Sequence, residues 1–155
     1  MRLLDYTTNN GFLPHIKCAS VGEAVGRLVA ELESTGAVTD GRSLATDVMR
    51  REHEGSTAIG GGLVIPHARH SGVKNVRVAL ATLAAPLDIP AEDNQPVDIV
   101  ILLVGPQADP RQMLWVLARL ARLVKNSKFL NDLRGATAAK DLRQIFLEAD
   151  EQRAD

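Results

Sequence analysis

The run Val97-Asp98-Ile99-Val100-Ile101-Leu102-Leu103-Val104 constrains the fold of this chain more than any other stretch. All of it but Asp98 is Val, Ile or Leu, the pattern of a central strand covered on both faces. It is far short of the roughly 20 apolar residues that cross a bilayer. Such a strand needs helices on each side, and the flanking sequence provides them. Ser20-Val21-Gly22-Glu23 is a capping box, followed by Ala24, Val25, Leu28, Val29 and Leu32 at helical spacing, with an end near Gly36. A second helix is predicted from Asp40 as N-cap, through Leu44, Val48 and Met49, to Gly55. Asp109-Pro110 opens a third helix with Met113, Leu117, Leu120 and Val124 along one face, and two shorter helices start near Ser127 and Thr137.

Further strands are predicted at Leu63–Ile65, stopped by Pro66, and at Val76–Leu83. Pro86–Pro96 reads as a loop. Residues 1–19, broken by Asn9, Asn10, Gly11 and Pro14, read as loop with room for one short strand. Strands alternating with helices give the expected class: α/β, a single-domain three-layer sandwich over residues 1–155, with a mixed sheet flanked by helices on both faces.

Composition narrows the function classes. The 18 basic and 19 acidic side chains nearly cancel, which gives no electrostatic ground for a nucleic-acid partner or an anionic membrane. The lone Cys18 fits a reducing, cytoplasmic location, and the first residues lack the apolar segment of a signal peptide.

The chemically dense stretch is Arg51 to Arg69. His67 is expected just past a strand end, where open α/β sheets place ligands. An imidazole there is open to acid, base, ligand or nucleophile roles, or to a structural one. Arg51 and Arg69 are suited to gripping a phosphoryl group, and each is equally readable as a solvated surface charge. Gly60, Gly61 and Gly62 permit positive φ, so their N–H groups form a candidate anion nest. Ser56 and Thr57 are candidate hydroxyl donors or helix caps. No G-x-G-x-x-G, Walker A or G-x-S-x-G pattern is present, and His15, His53, His67 and His70 have no metal-ligand spacing. A histidine nucleophile with cationic neighbours suits reversible phosphoryl transfer, without metal or cofactor.

Arg51-Glu52, Gly55-Ser56-Thr57, Ile59-Gly60, Ile65-Pro66-His67-Ala68-Arg69 and Asp93-Asn94-Gln95-Pro96-Val97-Asp98 together carry a resemblance. The chain resembles the enzyme IIA domain of the bacterial phosphotransferase system, in its mannitol/fructose-type branch, and within it the nitrogen-regulatory proteins. The resemblance covers nearly the whole chain. It implies an α/β sandwich whose His67 takes a phosphoryl group from a phosphohistidine carrier protein (HPr-like). The group then passes to a sugar-permease component, or the phosphorylation state regulates a target protein. Arg51 matches the family's active-site arginine, Ser56 and Thr57 match pocket residues, and Arg69 follows the Pro-His-Ala-Arg pattern.

Two positions depart from the family. Met113 stands where a second histidine is usual, and Gly61 where nitrogen-regulatory members usually place Asn. Losing one donor to developing negative charge costs about 10²-fold or more in rate. His70, three residues past His67, is the candidate to fill in. Two readings therefore stand: a phosphocarrier working through His67, and a non-catalytic regulatory module that keeps the fold and binds a protein partner. A small-molecule sensor in the same pocket is a third.

Overall fold

In the computed structural model, which describes residues 2–154, the apolar run becomes β5 (Val97–Pro106), the hub of a five-stranded mixed sheet. Its side chains alternate faces, as a pleated strand dictates. Ile99, Ile101 and Leu103 enter one apolar cluster, and Val100, Leu102 and Val104 enter the other. Both faces of β5 are thus covered, which is why the run lacks polar alternation. The long hairpin partner β4 (Arg77–Leu87) lies antiparallel along one side of β5, and β1 (Thr7–Ile16) runs parallel to β4 at the far edge. On its other side β5 pairs in parallel with two short segments, β2 (Leu63–Val64) and β3 (His67–His70).

One layer of helices is α1 (Val21–Ser34) and α2 (Gly41–Glu54). The other is α3 (Arg111–Leu123), α4 (Ser127–Gly135) and α5 (Ala139–Ala154). The α/β sandwich expected from the sequence is the one observed, with helices on both faces of the mixed sheet. Among the described residues no helix is long and apolar enough to cross a membrane.

Four local expectations need correction. The N-terminal stretch is a short 3₁₀ turn, Leu3–Tyr6, followed by the ten-residue β1. Its register shifts between Thr7 and Phe12 and again between Leu13 and Ile16. The extra residues in those shifts, Asn9-Asn10-Gly11 and Pro14 among them, erase the two-residue period that marks a strand in sequence. Asp40 does not cap α2 with its side chain. It adopts a left-handed conformation (φ 54°), and Glu33 Oε2 accepts the Gly41 N–H instead, at 2.7 Å. The last helix, α5, is 16 residues long rather than short.

The fourth correction concerns the site. His67 does not sit in a loop beyond a strand end; it is the first residue of β3. Pro66 has no N–H to give the ladder, but its carbonyl accepts the Leu103 N–H at 3.0 Å, so the chain stays on β5 and the strand resumes.

Candidate functional site

Strand β3 places its residues by parity. Ala68 packs into the α1/α2 cluster, and His70 bonds Ser43 on α2. His67 and Arg69 therefore face the α3 layer, about 7 Å apart along the strand at its usual rise. His67 is half-buried, and its Nδ1 lies 2.8 Å from the carbonyl oxygen of Ile65. A carbonyl only accepts, so Nδ1 carries the proton in this bond and the lone pair stands on Nε2. The ring is fixed in direction and tautomer by its own chain two residues back, and its outer nitrogen is the basic one.

The Ile65 peptide is itself held. Its N–H donates to Thr57 Oγ1 at 2.9 Å. Thr57 in turn gives both its hydroxyl (2.9 Å) and its backbone N–H (2.7 Å) to the two carboxylate oxygens of Glu52, on the last turn of α2. The Thr57 hydroxyl, a candidate for an anion or for a helix cap, is committed to Glu52. Ser56 is exposed; its Oγ accepts the Ala58 N–H at 3.2 Å, which leaves its own proton to give.

The glycine turn is also occupied. Gly60, Gly61 and Gly62 have φ of 101°, 73° and 78°, as expected for a turn that excludes side chains. Yet the Gly61 N–H donates to Asp93 Oδ2 at 3.0 Å, so this amide is not available to a bound anion. The Gly61 and Gln95 N–H groups hold the Asp93 carboxyl below the ordinary carboxylate range. The Gly61 carbonyl accepts from Arg134 Nη2. Arg134 also grips Asp98 through Nε, 2.9 Å from each oxygen, which pairs the one charge inside the β5 run. A Cβ on Gly62 would collide with that guanidinium. The turn is thereby a bolt between α4, β5 and the Asp93 loop.

Arg69 stays on the His67 face, where its Nη1 donates to the Gln107 carbonyl at 3.0 Å. Arg51 is exposed on the last turn of α2, and its guanidinium makes no hydrogen bond or ion pair with the described residues. Met113 is 5% exposed in the apolar cluster of Ile65 and Leu103, with its Sδ 2.9 Å from where a Gly105 Cβ would stand. Gly105 pairs with Arg69, so Met113 covers the sheet beside the His67 strand on the same face. It offers that face a thioether and no N–H donor. His70 is 6% exposed on the opposite face, so it cannot fill in for a missing donor beside His67. Among the described residues no cluster of His, Cys, Asp or Glu could hold a metal ion.

Sequence reasoning assigned Glu52 no role of its own. The available signal was its carboxylate five residues before a threonine, next to a helix end. Asp98 gave a better one, since a charge inside a buried strand demands a partner.

The family model described as phosphoenolpyruvate-dependent sugar phosphotransferase system, EIIA 2, matches residues 6–149. The chain is 33% identical over 147 residues to a nitrogen regulatory protein of Bradyrhizobium diazoefficiens, covering 94% of this chain and 93% of that protein. The crystal structure of nitrogen regulatory protein IIA-Ntr from Neisseria meningitidis matches with a TM-score of 0.82 at 24% identity, over 93% of this chain and 98% of that one. Enzyme IIA mannitol of Escherichia coli, solved in complex with phosphorylated enzyme IIB mannitol, matches with a TM-score of 0.72 at 16% identity, over 90% of this chain and 94% of that one. At these identities the two structures bear on the fold alone.

Proposed function

The chain belongs to the EIIA 2 family of the phosphoenolpyruvate-dependent sugar phosphotransferase system, and from that premise we propose that it is a phosphocarrier that accepts a phosphoryl group on His67 Nε2. The observation that carries this reading is the bond from His67 Nδ1–H to the Ile65 carbonyl. It leaves the Nε2 lone pair without a partner among the described residues, on a half-buried ring of the short strand β3. Attack forms the Nε2–P bond as the N–P bond of a carrier phosphohistidine breaks, and the pair in the broken bond stays on the carrier's ring nitrogen. No proton has to move. Positive charge that develops on the His67 ring spreads to Nδ1–H and strengthens its bond to Ile65, an interaction tighter in the transition state than before it.

Arg51 and Arg69 supply guanidinium groups to neutralise the phosphoryl oxygens, and Ser56 supplies a hydroxyl. The donor is a phosphohistidine carrier protein of the HPr type, and the chain works as one enzyme IIA domain in the cytoplasm. The phosphoryl group then passes to a sugar-permease component, or the phosphorylated state controls a target protein. Similarity to the Bradyrhizobium protein supports the nitrogen-regulatory arm.

A specific observation favours the second reading, a regulatory module with weak or lost phosphotransfer. Met113 lies on the His67 face and gives it no donor. The deciding experiment is incubation with the phosphorylated carrier and its upstream kinase, followed by intact mass. An acid-labile gain of one phosphoryl group, absent in His67→Ala, is expected. No gain in a folded protein would leave the regulatory module standing and sink the carrier.

A further inference from the structure

We infer that Glu52, acting through Thr57, is the positioning group that sets the tautomer and aim of His67. The inference deepens the phosphocarrier reading and rests on it for its kinetic consequence, but its structural half stands alone.

The chain of bonds has a fixed polarity. An ionised carboxylate accepts and never donates, so the single hydroxyl proton of Thr57 must point to Glu52 Oε1. The oxygen's lone pairs are then left for the Ile65 N–H, which donates to it at 2.9 Å. With its N–H anchored there, the Ile65 backbone is held so that its carbonyl, in the next peptide unit, meets His67 Nδ1 at 2.8 Å. Glu52 also takes the Thr57 backbone N–H through its other oxygen. This two-point grip locks Thr57 to the end of α2 and leaves no freedom for its hydroxyl to reverse.

The relay thus runs from a helix of one layer to a ring on the opposite face of the sheet, through the backbone of a single residue. The Ile65 N–H and C=O belong to adjacent amides joined at its Cα, so the strap acts by holding the Ile65 backbone torsions. With them it holds the direction of the carbonyl that the cationic ring of phosphoryl transfer bonds more tightly. Neither Glu52 nor Thr57 needs to touch the phosphoryl group for this. Thr57, a candidate donor or helix cap in the sequence, has both its donors already spent.

The test compares Thr57→Val, which keeps the shape and loses the hydroxyl, with Thr57→Ser, which restores it. Two readouts are taken: the rate of phosphorylation by the phosphorylated carrier, and the His67 ring tautomer by nitrogen-15 NMR without any phosphoryl donor. In Thr57→Val the Nδ1–H tautomer should lose its dominance and the rate should fall about tenfold to 10²-fold, the scale of a small misplacement of a reacting group. Thr57→Ser should recover most of both. Glu52→Gln keeps one acceptor oxygen and should move both readouts the same way by less; it serves as the primary variant if Thr57→Val does not fold.

An unchanged tautomer, together with a rate within about twofold of the parent, would overturn the positioning role while leaving the phosphocarrier intact. A wild-type chain that takes no phosphoryl group would defeat the phosphocarrier instead. The tautomer would still decide the positioning.

Discussion

His67 and His70 stand three residues apart on one four-residue strand and have opposite chemistry. His67 donates from Nδ1 to a carbonyl and leaves Nε2 bare. In His70, Nδ1 accepts the Gly72 N–H at 2.9 Å, so the proton is on Nε2, which donates to Ser43 Oγ at 3.0 Å. Asp47 Oδ2 lies 3.8 Å from the same nitrogen. Both nitrogens of His70 are spent inside the protein, whereas only one of His67 is. The pair teaches that a histidine becomes available for chemistry when one nitrogen suffices to position it. Strand parity alone sends the two rings to different faces and to these different fates.

The sharpest way to break this comparison is to delete each ring. His67→Ala should abolish the acid-labile phosphoryl gain, and His70→Ala should keep it, as read by intact mass at matched folding. Phosphorylation surviving in His67→Ala would move the acceptor elsewhere and cancel the contrast.

Giving the His67 face a second imidazole is the next largest change. Met113→His adds a donor on the face where Arg69 and His67 already lie, and the phosphorylation rate should rise by about 10²-fold at most, the usual worth of one aimed donor. Met113 is buried, so a denaturant midpoint must be measured alongside. An unchanged rate in a well-folded variant would place position 113 outside the reacting centre.

Stability should reverse the ranking of the two rings. His70→Ala strands the Gly72 N–H and the Ser43 hydroxyl in a nearly closed site and should cost about 1–3 kcal/mol in urea unfolding. His67→Ala removes one bond at a half-exposed position and should cost about 1 kcal/mol or less. Equal losses would mean that His70 is no more structural than His67.

These contrasts also mark what the sequence makes legible. Val97–Val104 predicts a doubly covered strand because burial on both faces removes polar residues, a signal local to eight letters. The same is true of α1: Ser20 Oγ accepts the Glu23 N–H as the spacing predicts, while Glu23 Oε2 takes the Ala19 N–H, one residue before the Ser20 N–H of a full capping box. His67 is legible as a candidate from Pro66-His67 and its arginines. Its partner Ile65 is two residues away, but the support behind Ile65 is not local. Thr57 and Glu52 reach it across a strand start, and Asp93 and Arg134 reach Gly61 across 32 and 73 residues. Sequence period carries no record of such closures. β1 is hidden for a different reason: its two register shifts break the alternation that reading a strand depends on.

The smallest effect tests whether the difference between the rings is inherited from the glycine turn upstream of both. Asp93 holds that turn through Gly61, and its folded-state pKa is depressed by the Gly61 and Gln95 N–H groups. As pH falls, the unfolded chain takes the proton first, near the ordinary value of about 3.9. The contribution of Asp93 is therefore complete above that pH and is lost as pH falls through the lower folded value. The Gly61 amide resonance should titrate with a midpoint below about 3.9, and Asp93→Ala should remove that titration. At neutral pH, Asp93→Ala should speed hydrogen exchange at Gly61 and leave the His67 and His70 tautomers alone, since Thr57 fixes Ile65 independently of the turn. A changed His67 tautomer in that variant would show that the turn, rather than the Glu52–Thr57 strap, sets the ring apart from its neighbour.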